Sequence, residues 1–287
     1  MELQQIRLFK AVCDTGSIAR AAEAQHCVPS NVTARLKALE ADLGVGLFFR
    51  QGRGLRLSPA GEIFRDYAGR LLSLADEARR AVHPNAEPAG PLRIGAIESS
   101  ATSRLPRLLA AFHARYPQVQ LELTTGTGTQ LLDAVAQRRL DGAIVAIDVE
   151  RAALRRMVIY RESLVLIAAE SLGPLRSAAD LAGKSIFMWP EGCPYRAALE
   201  RWLAAAGQAQ PIISLASYGT IVGCVSAGAG VALVPRGVYE QYRQGAGWVG
   251  YEFAELASID NLFYWQEAVR HHPAREAFLE MLGGMMG

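Results

Sequence analysis

The sequence predicts an α/β protein in two parts: an N-terminal winged helix-turn-helix with a long linker helix, then a C-terminal domain of two α/β lobes. Three observations carry this prediction. Apolar residues recur at helical spacing up to Leu43, and a glycine-rich hairpin signal follows. A long apolar seam at spacings of three and four comes next. From Leu92 onward, short apolar runs alternate with amphipathic stretches, the pattern of a parallel sheet with helical crossovers.

The bulk numbers agree with such a chain. Its 287 residues make room for about two domains. Apolar residues form 51% and charged residues 20%, the balance of a globular protein. No apolar run is long enough to span a bilayer, so no membrane partner is expected. The start, Met1 to Arg7, lacks a basic segment followed by a hydrophobic one, which makes the cytoplasm the expected compartment. Cys13, Cys27, Cys193 and Cys224 form no C-x-x-C pair, which argues against a zinc site or a disulfide framework.

The first element is a helix with Leu3, Ile6, Leu8, Phe9 and Val12 on its apolar side. Asp14 to Ser17 breaks it, and Ser17 is placed to cap a second helix from Ile18 to about Gln25. His26 to Ser30 turns the chain. A third helix runs from Asn31 to about Leu43 and stops at Gly44. Two short helices across a tight turn make a helix-turn-helix, whose second helix enters the major groove with its N-terminal residues leading. Those residues are Pro29, Ser30, Asn31, Thr33 and Arg35, with Lys37 a turn later. Asn and Arg pair with base edges, whereas Ser, Thr and Lys suit phosphates.

Two short strands flank Gln51-Gly52-Arg53-Gly54, which reads as a wing with Arg50 and Arg53 aimed at phosphates or the minor groove. The net charge of +2 does not itself point to nucleic acid. The local excess does: Arg35, Lys37, Arg50, Arg53 and Arg56 face only Glu40 and Asp42. A solvated helix face with a charged loop is the plain alternative. After Pro59 a helix runs to about His83, with Ile63, Tyr67, Leu71, Leu74, Ala78 and Ala81 along one seam. Such a stripe calls for a second copy of the chain, or else for packing on the following domain.

These blocks closely resemble the DNA-binding region of LysR-type transcriptional regulators. The matching runs are Ala19-Arg20-Ala21-Ala22, Val28 to Glu40, Asp42 to Arg50 and Leu57-Ser58-Pro59-Ala60-Gly61. The resemblance implies a recognition helix in the Ser-to-Glu segment, a double-stranded operator that is an interrupted palindrome, and a homodimer paired through the linker helix. It further implies a homotetramer, with RNA polymerase as another candidate partner. Where many members carry Gln-Pro or Gln-Ser before the recognition helix, this chain has Val28-Pro29-Ser30-Asn31, a departure expected to alter operator preference.

Pro84 to Pro91 is a linker by composition. Beyond it the pattern reads strand (Leu92–Ile97), helix (Leu105–Arg115), strand (Val119–Thr124), helix (Leu131–Arg139) and strand (Gly142–Ile147). One long extended segment, Met157–Ala169, follows. A second set comprises Ser185–Trp189, Tyr195–Ala206, Ile212–Ala216, Thr220–Ala227 and Val231–Pro235, after which Leu262–Trp265 and a last helix at about Ala274–Leu282 can return to the first lobe. Two α/β lobes joined by crossing strands resemble the periplasmic binding-protein fold that LysR-type effector domains share. The expected domains are therefore 1–58, 59–89 and 90–287, with lobe I at about 91–162 and 267–287 and lobe II at about 163–266.

Ligands of open α/β sheets bind beyond the carboxyl ends of strands, where helix N-termini offer N–H groups. That rule selects four loops: Glu98-Ser99-Ser100, Gly126-Thr127-Gly128-Thr129, Glu191 to Arg196, and Ser217-Tyr218-Gly219-Thr220. The family resemblance implies that these line an effector cleft, giving Ser99, Ser100, Thr127, Gly128, Thr129, Cys193, Tyr195, Arg196, Ser217, Tyr218 and Thr220 as candidates. Their hydroxyls and N–H groups suit a small anion or carboxylate. Helix capping explains Ser, Thr and Gly at these positions equally well. The expectation is an unknown small-molecule effector and no cofactor or metal.

Cys193, near a helix start where a thiolate is stabilised, offers a redox-sensing alternative. Cys224 reads as a buried thiol. An enzyme is disfavoured, since G-x-S-x-G, a P-loop, G-x-G-x-x-G and H-E-x-x-H are all absent. A free-standing solute-binding protein fits the second part of the chain but not the first sixty or so residues.

Overall fold

The computed structural model describes every residue except 52, 53, 83–86, 209, 245, 246, 270 and 287. Among its helices and strands the side chains of 51, 77, 80, 81, 285 and 286 also lie outside the description. The chain divides into two compact units. Met1–Pro84 makes up nearly all of the first, and Asn85–Ala136 with Leu140–Gly287 forms the second.

The first unit begins with α1 (Leu3–Thr15), α2 (Ile18–Ala24) and α3 (Pro29–Leu43). Ile6, Leu8, Phe9 and Val12 of α1 meet Ala21 and Ala22 of α2 and Val32, Leu36 and Leu39 of α3 in one core. Gly16 ends α1 in the left-handed region (φ 65°), with its N–H donating to Val12 O. Ser17 then caps α2 by accepting from Arg20 N–H. α3 starts at Pro29, two positions before the expected Asn31, because proline's fixed φ and missing N–H suit the first helical turn.

The wing is β1 (Phe48–Gln51) paired antiparallel with β2 (Gly54–Leu57). Glu40 near the end of α3 accepts from Leu47 N–H at 2.6 Å and from Phe48 N–H at 3.3 Å, fixing where the hairpin departs. α4 (Pro59–Ala81) follows and belongs to this unit. Phe64 packs edge-on to Phe9 at 5.0 Å, and Asp76 pairs with Arg7 at 3.2 Å. Gly61 is obligatory at the start of α4: a Cβ there would stand 2.1 Å from the Leu47 carbonyl oxygen.

The second unit runs β3 (Gly90–Ala96), α5 (Glu98–Ser103), α6 (Leu105–Arg115), β4 (Val119–Thr125), α7 (Gly128–Ala136), β5 (Gly142–Val145), β6 (Leu154–Glu162) and β7 (Leu164–Ala169). It continues β8 (Ile186–Met188), α8 (Pro194–Ala205), β9 (Ile212–Ser214), α9 (Tyr218–Ser226), β10 (Val231–Pro235), α10 (Arg236–Tyr242), β11 (Trp248–Tyr251), β12 (Ile259–Gln266) and α11 (Pro273–Met286). One sheet has the order β4-β3-β5-β12-β6 and the other β11-β7-β10-β8-β9. β5, β7, β8 and β10 are buried at every residue, as strands covered by helices must be.

Two expectations are corrected here. The extended segment Met157–Ala169 is two strands in different sheets, β6 and β7, parted at Ser163. β12 pairs antiparallel with β5 and β6, so Leu262–Trp265 does return to the first lobe, but the lobe bound lies before Ile259 instead of at residue 267. α5, α10 and β11 were not expected as separate elements.

A buried polar knot joins β3 to the start of α11. Asp141 accepts from Arg93 N–H at 2.8 Å and from its guanidinium at 3.1 Å, and lies 3.7 Å from His272 Nε2. His272 Nδ1 in turn accepts from Arg275 N–H at 3.2 Å, capping α11. Among the described residues, no helix is long and apolar enough to cross a membrane.

Candidate nucleic-acid interface and inter-lobe cleft

Pro29, Ser30 and Asn31 form the exposed first turn of α3, and Lys37 is exposed further along it. Thr33 is half-buried and donates its hydroxyl to Pro29 O at 3.0 Å, leaving lone pairs outward. Arg35 is half-buried and is paired with the Glu2 carboxylate. Val32, Leu36 and Leu39 face the core, so helical periodicity puts the polar positions on the opposite side. Arg50 is exposed on β1, whereas Arg53 lies outside the described residues. The first turn of α3 and the described wing therefore present a polar, cation-bearing surface of the kind that meets a groove and its phosphates.

α4 has two apolar faces. Phe64, Ala68, Leu71 and Leu72 pack into the unit's own core, and Leu71 of the expected seam is among them. Ile63, Tyr67 and Leu74 stay 65%, 55% and 47% exposed, too large an apolar surface to be accounted for by packing within this unit.

In the second unit, the loops chosen from sequence differ in how their side chains are engaged. Ser99 and Ser100 are buried at the start of α5. Ser100 Oγ is 2.6 Å from Tyr160 Oη of β6. Tyr195 at the start of α8 is buried and donates to Asn261 Oδ1 of β12 at 3.2 Å, so the second lobe reaches the first lobe's sheet here. Tyr218, at the start of α9, is also buried and stacks on Trp189 at 4.8 Å. Ser99 Oγ makes no hydrogen bond of good geometry among the described residues. Burial pushes the phenols of Tyr195 and Tyr218 well above the usual range, and the Ser99 hydroxyl partly counters this at both.

The remaining candidates serve their own helices. Thr127 exchanges hydrogen bonds with Gln130 at the start of α7, and Thr129 is exposed there. Gly128 packs close to Ile147. Ser217 Oγ accepts from Thr220 N–H at 3.3 Å. Arg196, another of the candidates, is 8% exposed, paired with Glu200 at 2.7 Å, and donates to Ser214 Oγ at 2.8 Å and to Trp189 O at 3.4 Å.

The redox-sensing alternative calls for a stabilised thiolate at Cys193. Burial instead pushes its thiol up, outweighing the N–H groups of Arg196 and Tyr195 and the Arg196 charge. Among the described residues no three His, Cys, Asp or Glu side chains are grouped to hold a metal. A separate open groove of about 540 Å³ on the first lobe, lined by Leu154, Arg156, Met157, Leu262 and Trp265 among others, includes none of the cleft candidates.

Sequence reasoning missed Tyr160, Asn261, Glu162 and Arg104. Glu162, the last residue of β6, is 1% exposed. It accepts from Arg104 Nε at 3.1 Å and Nη2 at 2.9 Å, and from Gly237 N–H of α10 at 3.1 Å. This carboxylate thus ties the first lobe to the second where the chain crosses. The one available signal was period-two alternation placing Tyr160 and Glu162 on the same side of a strand.

Residues 3–62 match the model of the bacterial regulatory helix-turn-helix proteins of the lysR family, and residues 85–287 match the LysR substrate binding domain. The uncharacterized HTH-type transcriptional regulator YusT of Bacillus subtilis is 41% identical over 84% of this chain and 81% of its own. GltR of the same organism, an HTH-type transcriptional regulator, is 34% identical over 97% and 95%. The crystal structure of CbnR, a LysR family transcriptional regulator, superposes with a TM-score of 0.72 at 23% identity, covering 100% of both chains. CbnR complexed with its target DNA gives 0.70, also at 23% identity, over 98% and 99%. The chain belongs to the LysR family: it is a DNA-binding transcriptional regulator, with a winged helix-turn-helix and an effector-binding domain.

Proposed function

We propose that this regulator reads an interrupted palindrome as a homo-oligomer, and that a small effector in the inter-lobe cleft modulates the binding or its outcome. The observation that carries the first part is the split of α3 into a buried apolar side and an exposed face led by Pro29, Ser30 and Asn31. Arg35, Lys37 and Arg50 supply the charge, with Arg53, outside the described residues, as a further candidate from the sequence. The exposed side of α4, with Ile63, Tyr67 and Leu74, favours pairing of two copies through this helix. Two such dimers joined through their effector domains make the tetramer the family suggests. RNA polymerase and a cytoplasmic setting fit a transcription regulator.

The effector is a small molecule held by hydroxyls and aromatic faces: Ser99, Ser100, Tyr195 and Tyr218, with Asn261 and Trp189 alongside. An acceptor group such as a carboxylate suits the hydroxyls. Arg196 is already committed within its own lobe, so the site does not supply it as a partner for a carboxylate. Differential affinity for two lobe arrangements is what lets such a ligand act on DNA binding. The test is thermal unfolding of the full chain against pools of small carboxylates, amino acids and aromatics. A ligand at a hundred times its dissociation constant adds about 2.7 kcal/mol. A hit whose shift survives Ser100→Ala and Tyr218→Ala unchanged contradicts this site.

A further inference from the structure

The recognition helix carries a carboxylate clamp that nothing in the family assignment requires. Glu2, the residue before α1, pairs with Arg35 on α3 across 33 positions of sequence. The carboxylate is not a loose surface group. Glu2 and Gln5 form a reciprocal cap, in which Glu2 N–H donates to Gln5 Oε1 at 2.8 Å and Gln5 itself is buried. The backbone that bears the carboxylate is therefore anchored to the core of the unit. The side chains remain 63% and 40% exposed, so the pair is within reach of a competing anion and is readily exchanged.

Two further carboxylates of α3 have other partners: Glu40 accepts from the N–H groups of Leu47 and Phe48, and Asp42 pairs with the Met1 ammonium at 2.7 Å. Among the described residues, Lys37 and Arg50 make no ion pair, so Arg35 is the cation of the proposed interface described with an acidic partner.

We infer that Glu2 is a specificity-setting residue of the DNA interface, acting through Arg35. In the free protein it holds the guanidinium, so that a phosphate met at random must displace a carboxylate to gain that contact. Only a duplex that offers Arg35 more than a phosphate does, such as a paired acceptor on a base edge, repays the exchange. The effect is to weaken sequence-independent binding more than operator binding. The inference rests on the docking of α3 proposed above.

The experiment compares the full-length wild type, Glu2→Gln, Arg35→Ala and the double variant on a 20-base-pair mixed-sequence duplex by fluorescence anisotropy between 50 and 200 mM KCl. Glutamine keeps the oxygen that caps α1, so the melting temperature should not move. Each phosphate contact steepens the plot of log affinity against log salt by about 0.9. Glu2→Gln is therefore expected to bind the duplex more tightly. Its advantage over wild type should grow by about 3.5-fold per recognition helix as salt falls from 200 to 50 mM. In the Arg35→Ala background the same substitution should lose that advantage.

Three results overturn the inference. In the first, Arg35→Ala weakens binding while Glu2→Gln changes neither affinity nor slope. In the second, the gain from Glu2→Gln persists undiminished without Arg35, which makes Glu2 a general repulsive charge. In the third, Arg35→Ala alters neither affinity nor slope, which defeats the docking of α3 itself and is distinguished from the first by that variant alone.

Discussion

Replacing Glu162 with Gln should unfold the effector-binding unit at a markedly lower temperature. The carboxylate is 1% exposed and takes two guanidinium nitrogens of Arg104 at 2.9 to 3.1 Å and the Gly237 N–H at 3.1 Å. Arg104 also lies over the Tyr160 ring at 5.3 Å, so its position is set from two sides. Glutamine offers one oxygen and turns an NH₂ toward groups that are themselves donors. Breaking a buried pair by removing one partner costs about 3–5 kcal/mol. The Arg104 side chain is 30% exposed, so water relieves part of its stranded charge and places the cost near the lower end, about 3 kcal/mol. At about 2–4 °C per kcal/mol the melting temperature should fall by about 6–12 °C. Differential scanning calorimetry on the full chain reads this directly. Because Glu162 joins the two lobes, amide exchange at Gly237 should quicken as well. A shift under 2 °C with unchanged exchange would refute the claim that this carboxylate holds the lobes together.

Other consequences follow from the same contacts. Gly237→Ala places a Cβ 2.5 Å from Ser103 Oγ and 3.0 Å from Arg104 Nε, so the variant should lose about 1–3 kcal/mol in denaturant titrations. Asp141 is held well below the usual carboxylate range: burial alone would raise it, but the neighbouring His272 imidazole and the Arg93 guanidinium outweigh burial. Its contribution to stability is therefore complete above the unfolded value of about 3.9 and is lost as pH falls below that. Asp141→Asn should flatten the acid limb of the stability curve below about pH 4 and lower the plateau above it. Cys193, with its thiol pushed up, should react with iodoacetamide at neutral pH more slowly than an unperturbed thiol; faster labelling would revive a redox role.

The N-terminal helices were legible because their punctuation is local. Gly16, Ser17 and Gly44 stop and start helices by their own backbone and side-chain chemistry. The bounds of α6 and β10 were read to the residue for the same reason, between a proline turn and a glycine run. α5 was not, since Glu98 to Ser103 has no apolar period and its serines are buried only by neighbours distant in sequence. The parting of β6 from β7 falls at Ser163, where neither glycine nor proline marks a break.

The candidate site shows the same division. Its hydroxyls were visible as helix-start residues, but sequence alone does not separate the capping Ser217 and Thr127 from the buried Ser99 and Ser100. Tyr160 meets Ser100 from 60 positions away and Asn261 meets Tyr195 from 66, pairings set by strand order. The burial of Arg196 was not legible, because an early helix position is equally compatible with solvent and with pairing to a residue four positions on, here the exposed Glu200.

The most direct test of the account is selection of duplexes from a random pool by the full-length protein, followed by footprinting of the enriched sequence. The account predicts an interrupted palindrome whose half-sites lie a whole number of helical turns apart, with Asn31→Ala changing the preferred bases within each half-site and leaving the spacing intact. A pool that emerges without a consensus, or a consensus unmoved by substitutions along α3, would contradict it.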